Sequence, residues 1–383
     1  MTICIVCDVL GKANNGTSIA AMNLINSLRA KGHTVRVVCP DAERRGEKDY
    51  FILPTLPVGP FRRYVEKNGV VIAGASRPVL EEALDGAEHV HIMTPFFAGC
   101  AALRIAKKRG LSVTAGFHCQ AENLTSHLFL KNCRLANRLT YWAFYRHFYR
   151  YVDAVHYPSE FIREVFEEYA GKTNAWVISN GVNRIFRPMQ AEKPPELAGK
   201  RVILFIGRYS KEKSHGVLID AAKKSRHAEE LQLVFAGTGP LKEKLVRRSA
   251  GLPNPPIFRF YAREELVRII NSADLYVHPA EIEIEAIACL EAISCGLVPV
   301  ISDSPRSATR FFALDEKNLF PCNDSAALAE RIDYWLDHPT EKEACRQAYL
   351  ERAAVFDFDR CMDKMEEMIL KTHAGQRAGE EAE

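Results

Sequence analysis

No apolar run in the 383-residue chain reaches the roughly 18 to 20 residues a membrane-spanning helix needs. Low-complexity tracts and short internal repeats are absent too. The N-terminal MTICIVCDVL has no basic n-region and a short apolar run closed by Asp8, which reads as a first strand and not a signal peptide. Without export the expected location is the cytoplasm, and the sequons at Asn15 and Asn123 carry no meaning. The eleven cysteines are scattered and odd in number, which excludes a disulfide framework and fits a reducing compartment. Cys4 and Cys7 form a Cys-x-x-Cys, but three residues apart on a strand they face opposite sides and cannot share one metal.

Net charge is only +3, yet it is unevenly spread. Residues 1–190 carry 24 cations and 16 acids, an excess of +8, and the remainder of the chain is at −5. The first half is therefore expected to meet something anionic.

What the chain does hold is alternation. Short β-branched runs at Ile3–Asp8, Thr34–Cys39, Val70–Ala73, Glu88–Met93, Ser112–His118, Ala154–Pro158 and Ala175–Ser179 are separated mostly by helical stretches such as Thr17–Lys31 and Phe96–Arg109. The second half repeats the scheme at Val202–Ile206, Leu231–Ala236, Ile257–Phe260, Leu275–His278 and Pro299–Ser302. This predicts an α/β protein with two doubly wound parallel sheets. Gly and Pro punctuation around Asn180–Pro195 marks the boundary, giving domains at 1–182 and 183–356. The pattern turns helical after residue 323, and the small, charged segment 373–383 reads as disordered. In open sheets of this kind ligands bind beyond the strands' carboxyl ends, here expected to face one interdomain cleft.

Candidate residues cluster at those ends. Asn15-Gly16-Thr17 opens a helix where exposed N–H groups suit a phosphate, although it forms neither a Gly-x-Gly-x-x-Gly nor a Gly-Lys-Ser/Thr motif, and an ordinary turn reads equally well. His118, with Gln120, Glu122 and Asn123, follows an apolar strand, as a site residue or a capped loop. Gly207-Arg208 followed by Lys213 can grip a diphosphate or form a solvated loop. Ala236-Gly237-Thr238-Gly239 makes a second tight turn. Glu281, Glu283 and Glu285 alternate with isoleucines ahead of a helix bearing Glu291, reading as a carboxylate site or a half-exposed edge.

Taken in order, Gly207-Arg208 with Lys213, Ala236-Gly237-Thr238-Gly239, Ser272–Pro279, and Glu283-x7-Glu291 running into Ala292–Gly296 and Pro299-Val300 resemble the C-terminal domain of retaining GT-B glycosyltransferases of the large family 4. The likeness covers most of residues 200–300 and is looser in the first half, through Gly16, His118 and Val177–Val182. It implies two Rossmann-like domains, with the last helix, 357–372, returning to the first. It also implies transfer of a hexose from a nucleotide-sugar, expected as a UDP-sugar such as UDP-glucose, with retention and without a metal or other cofactor. The implied catalytic set is His118 at the donor sugar, Arg208 and Lys213 on the diphosphate, and Glu283 on sugar hydroxyls. Gly16, Gly207, Gly237, Thr238, Ile284, Glu285, Ala286 and Glu291 complete donor binding, Glu291 on the ribose. The family usually has an aromatic and a glycine where this chain has Glu285 and Ala286, which leaves open a nucleotide-sugar-binding protein without transferase activity.

Residues 101–150 hold nine cations against the single acid Glu122. Over 128–151 a helix is expected to place Lys131, Arg134, Arg138, Arg146 and Arg150 on one broad face with Trp142. Cations beside interfacial aromatics suit an anionic membrane surface and a lipid acceptor, on the inner face of the plasma membrane. A core helix with solvated cations, and a soluble or polysaccharide acceptor, are the other readings. Nucleic acid is not expected, because no recognition module accompanies the patch.

Overall fold

The computed structural model describes residues 1–10, 16–56, 73–127 and 130–380. The chain divides into two compact units, Met1–Asn180 with Asp359–Glu383, and Gly181–Phe358.

In the first unit the strands are β1 (Thr2–Val6), β2 (Thr34–Cys39), β3 (Tyr50–Ile52), β4 (His89–Ile92), β5 (Ser112–Gly116), β6 (Ala154–Tyr157) and β7 (Ala175–Val177). They form one sheet in the order β3-β2-β1-β4-β5-β6-β7, with neighbours parallel. Its helices are α1 (Gly16–Ala30), α2 (Arg77–Ala83), α3 (Phe97–Lys108), α4 (Ala121–His127), α5 (Arg134–His147) and α6 (Glu160–Ala170). Ile3, Cys4, Ile5 and Val6 of β1 are all buried, as expected of a central strand covered on both faces.

The second unit repeats the order with β8 (Arg201–Ile206), β9 (Leu231–Ala236), β10 (Ile257–Arg259), β11 (Leu275–His278), β12 (Pro299–Asp303) and β13 (Leu319–Pro321), arranged β10-β9-β8-β11-β12-β13. Around it lie α7 (His215–Ala222), α8 (Lys242–Arg248), α9 (Arg263–Ser272), α10 (Ile287–Ser294), α11 (Ser325–Asp337) and α12 (Pro339–Ala353). Alternation along β8 divides the core. Val202, Leu204 and Ile206 pack on one face with Tyr276 and Leu290, and Ile203 and Phe205 on the other with Leu233 and Val277. In each sheet the strand order reverses beside the first strand, between β1 and β4 and between β8 and β11. Such reversals are where open α/β sheets place ligands.

Three expectations need correction. The three-residue edge strands β3 and β13 were not anticipated, and of the expected strand Val70–Ala73 only Ala73 is described, in an isolated bridge to Thr55. The helix expected over 128–151 is shorter. α5 spans Arg134–His147 and breaks at Phe148, whose φ of −140° and ψ of −71° lead into a 3-10 turn, Tyr149–Tyr151. Residues 128 and 129 lie outside the described residues.

The third concerns the tail. α13 (Phe358–Glu380) continues well past residue 372. It buries Cys361, Met362, Met365, Met368 and Ile369 in a helical stripe. Glu366 meets Lys31 at 2.6 Å and His33 at 2.8 Å. Beyond residue 372, His373 lies 3.3 Å from the Ser112 hydroxyl, and the Gln376 amide donates to the Gly110 carbonyl at 2.6 Å. These anchors fix a segment whose composition alone suggested disorder. Among the described residues no helix is long and apolar enough to cross a membrane.

Because Met368 is wholly buried, Met368→Ala should cost the first unit about 2–5 kcal/mol. Lys371→Ala, on the exposed face, should stay within about 0.5 kcal/mol. Urea unfolding followed by a probe in the first unit measures both.

Candidate functional site

At the reversal in the second unit, two strand-end turns press together. A Cβ at Gly237 would stand 2.1 Å from the Gly207 carbonyl oxygen, a backbone atom that cannot move aside. Glycine at 237 therefore lets the β9 turn close on the β8 turn, and the Tyr209 N–H locks them by donating to the Thr238 carbonyl at 2.9 Å. Thr238 is exposed beside this contact, and Arg208 is partly buried in the β8 turn. A 3-10 turn, Lys211–Lys213, follows, and Ser214 at φ +50° starts α7.

β11 supplies the opposing wall. After His278 the chain runs through an irregular loop and doubles back. The loop is pinned on two sides. The Glu281 N–H donates to the Glu212 carbonyl at 2.8 Å, and the Ser304 hydroxyl donates to the Glu281 carbonyl at 2.6 Å. Farther along, the Glu283 N–H donates to the Arg306 carbonyl at 3.3 Å, and the Ala308 N–H to the Glu283 carbonyl at 2.9 Å. The half-exposed edge reading fails here. Glu281 and Glu285 are buried, Glu281 paired with Arg306 at 3.0 Å, because the loop lies against the segment after β12 and is no free edge.

Glu283 forms an ion pair with Lys213 and accepts a hydrogen bond from His278 Nε2 at 3.1 Å. Burial works against its ionisation, but the Lys213 ammonium and the His278 bond outweigh it and hold the carboxyl down at about 2. Ile284 and Glu285 lead to Ala286, whose φ of +62° and ψ of +66° are left-handed, and α10 begins at the next residue. Glu291, one turn into α10, is partly buried as a residue. Burial of its carboxyl pushes it up to about 7, with Arg263 opposing.

The second unit thus brings Gly207, Gly237 and Thr238 together in one pair of turns, and Lys213 into contact with Glu283. Tyr276 and His278 were not singled out from sequence as chemistry-bearing. Their signal was two polar residues at i and i+2 on a strand whose other positions are apolar.

In the first unit, β5 stops at Gly116, so His118 lies two residues beyond its strand. Its ring folds back over Gly116. A Cβ there would meet His118 Nε2 at 2.5 Å, and only a glycine leaves room for this arrangement. His118 Nε2 is buried with no partner among the described residues, and the ring lies 5.5 Å from that of His156. Behind it runs a buried polar row. His89 bridges Ser112 at 2.7 Å and Thr114 at 2.8 Å, His91 reaches Thr114 at 2.9 Å, and His156 Nε2 donates to the Ile178 carbonyl at 2.7 Å. Burial lowers them all, His89 to about 3, His156 to about 4, and His91 and His118 well below the ordinary range. They are neutral rings at physiological pH. Asp8 is taken up structurally, accepting from the N–H groups of Ala98 at 2.8 Å and Gly99 at 3.0 Å at the start of α3. Gly16 opens α1 with nothing within 4 Å of where a Cβ would stand, so no described contact requires glycine there. Residues 11–15 of the expected phosphate loop lie outside the described residues.

The aromatics expected around the basic helix sort into two sets. Tyr141, Phe148 and Tyr149 are buried with Phe117 and Phe166. Trp142 is 52% exposed, and the same face of α5 carries Leu135 at 65% and Leu139 at 55%. Arg134, Arg138, Arg146 and Arg150 are exposed around them, and Lys131, ahead of α5, is partly buried.

A carboxyl raised from its unfolded value makes stability fall as pH rises. Between about 4.5 and 7 folded Glu291 holds a proton that the unfolded chain releases, so stabilisation present below pH 4.5 is lost by pH 7. Glu291→Gln removes this loss. The variant should gain on wild type by on the order of 2 kcal/mol between pH 5 and pH 8 in the ligand-free protein. Parallel melting curves at the two pH values check it, and equal Tm differences at both would refute the assignment.

Comparison with known proteins agrees with this geometry. Residues 14–184 match the family model described as Glycosyltransferase Family 4, and residues 187–352 match Glycosyl transferases group 1. The chain is 26% identical, over 95% of both proteins, to the GDP-mannose-dependent alpha-(1-6)-phosphatidylinositol dimannoside mannosyltransferase of Mycobacterium tuberculosis. It is 25% identical to the alpha-monoglucosyldiacylglycerol synthase of Streptococcus pneumoniae, over 75% of this chain and 68% of that one. In fold it is similar to sucrose-phosphate synthase of Thermosynechococcus elongatus, with a TM-score of 0.77 and 17% identity over 98% of this chain and all of the other. The two matched models, the repeated Rossmann order and the ordered strand-end motifs together place the chain in glycosyltransferase family 4, with the GT-B fold.

Proposed function

We propose that the chain transfers a hexose from a nucleotide-sugar to a membrane lipid or lipid-linked acceptor, with retention of anomeric configuration and without a metal. The observation that carries the reading is the Lys213–Glu283 pair at the carboxyl ends of β8 and β11. It sets a cation suited to a leaving diphosphate against a carboxylate suited to sugar hydroxyls. Arg208, at the end of β8, adds a second cation. Arg208 and Lys213 neutralise charge that develops as the diphosphate leaves, and Glu283 orients the sugar. The acceptor attacks from the face the diphosphate vacates, so positioning supplies much of the acceleration. His118 contacts the donor sugar and Glu291 the ribose. Both relatives are named for lipids, which supports the acceptor class.

UDP-hexose is the donor expected from sequence, whereas the mycobacterial relative is named for GDP-mannose. A hydrolysis and transfer panel of UDP- and GDP-hexoses decides the base, and its product configuration decides retention. The buried Glu285, where the family usually has an aromatic, keeps a nucleotide-sugar-binding role in view, and donor binding without turnover on any donor would establish it.

On the accepted donor, Glu283→Gln should lower kcat by about 10²–10³ with the fold unchanged by circular dichroism. Activity should persist in EDTA. Wild-type turnover in Glu283→Gln would remove Glu283 from the site, and strict dependence on added manganese or magnesium would overturn the metal-free mechanism.

The protein is proposed to work at the cytoplasmic membrane face through α5. Its exposed Leu135, Leu139 and Trp142 would enter the headgroup region while the surrounding arginines meet anionic lipid. Each such cation contributes on the order of 1 kcal/mol, screened by salt. Co-sedimentation with anionic vesicles should therefore weaken at high salt and in the triple variant Arg134→Gln, Arg138→Gln, Arg146→Gln. Equal binding to anionic and neutral vesicles at low salt would show that α5 is not a membrane surface.

A further inference from the structure

Glu283 is held by more than Lys213. Its Oε1 takes both the Lys213 ammonium and His278 Nε2, the latter at 3.1 Å. On the other side of the ring, His278 Nδ1 lies 2.9 Å from the Tyr276 hydroxyl. Tyr276 and His278 are both buried, two residues apart on one face of β11. A carboxylate only accepts, so His278 Nε2 must carry a proton. Burial disfavours the charged ring, which leaves Nδ1 bare, and the Tyr276 O–H then donates to it. The direction of the chain is therefore set: Tyr276 to His278 to Glu283.

We propose that Tyr276 and His278 are positioning residues for the transfer reaction, a buried strut that fixes which carboxylate oxygen Glu283 turns inward and which it presents to the donor sugar. The inference rests on the reading of Glu283 as a donor-sugar ligand. Both protein donors converge on Oε1, and Oε2 accepts no hydrogen bond among the described residues. The loop backbone needs no help from His278. Glu281 and Glu283 are already tied to Glu212, Ser304, Arg306 and Ala308 through main-chain atoms. What the strut adds is the aim of the side chain, since a carboxylate held by one flexible lysine can rotate about its last bonds. Lys213 reaches Glu283 along a flexible stem, whereas His278 reaches it as a rigid ring planted on a central strand.

The test compares four variants on whichever donor the enzyme turns over: Glu283→Gln, His278→Leu, His278→Gln and Tyr276→Phe. Each is first checked by melting curve, and nucleoside diphosphate affinity is measured separately. His278→Leu should lower kcat roughly tenfold to a hundredfold. Tyr276→Phe should lower it less. Diphosphate affinity should stay within twofold in both. His278→Gln, whose amide can still donate toward Glu283, should recover part of the loss even if the leucine variant folds poorly. In a Glu283→Gln background, His278→Leu should add nothing, because the strut acts only through that carboxylate. Wild-type kcat in Glu283→Gln would sink the reading of the site itself. A crippled Glu283→Gln beside an unaffected His278→Leu and Tyr276→Phe, or losses that simply multiply in the double variant, would sink the strut alone.

Discussion

A lysine and a glutamate can leave bulk water only if each satisfies the other, and much of the second unit's strand-end architecture serves that condition. Both side chains are only partly exposed, so each charge is best solvated by the other, and Lys213 and Glu283 must be delivered to one place by elements that do not drift. Lys213 comes at the end of a single 3-10 turn closed by Ser214 in a left-handed conformation. Glu283 comes on a loop stitched to Glu212 on one side and to the 304–308 segment on the other. Gly237 lets the β8 and β9 turns meet backbone to backbone, which fixes where the lysine turn begins. In the proposed reaction the donor diphosphate offers Lys213 a second anion. There the pair would keep two opposite charges oriented in advance, which lowers the reorganisation left for the reaction.

The two sheets share one strand order but spend their polar residues differently. In the first unit the polar groups lie within the sheet as neutral imidazoles bridged by Ser112 and Thr114. Neutral hydrogen-bonding groups tolerate such burial because their partners replace water. In the second unit the strands ahead of β11 bury mostly apolar side chains, with Gln232 an exception, and the Lys213–Glu283 pair lies at the carboxyl edge. His118 belongs to the first pattern. Its ring lies over Gly116, close to the other histidines, and its unpartnered Nε2 is the point where that row ends without closing.

Much of this was legible in the chain. Long β-branched runs marked the central strands, since a strand buried on both faces can hold little else, and the ordered spacing of Gly207, Lys213, Glu283 and Glu291 marked a candidate site in which Lys213 and Glu283 meet. The three-residue edge strands β3 and β13 escaped, whereas the equally short edge strands β7 and β10 were expected. The tail escaped because Ala374–Glu383 looks unstructured in isolation. Its described part, to residue 380, is helical, with His373 and Gln376 reaching Ser112 and Gly110, contacts far away in sequence. Around α5, composition gave the basic face but not which aromatics turn inward. That depends on Phe117 and Phe166 waiting beneath Tyr141 and Tyr149. The in-turned His118 was hidden for a similar reason, since the vacancy it fills is a missing side chain at Gly116.

Ala286 shows how a departure in sequence can leave a site's shape intact. The backbone there is left-handed, the conformation for which glycine is usually chosen, and an alanine holds it at a cost of about 1 kcal/mol. The loop tolerates that strain because its two neighbours are committed. Glu285 is buried before it, and α10 starts immediately after it and must carry Cys289 and Leu290 into the core. The turn is thus held by what lies on either side of it. Glu285 is the other departure. Its side chain is buried, a second buried acid in the loop that already holds Glu281, where the family usually has an aromatic.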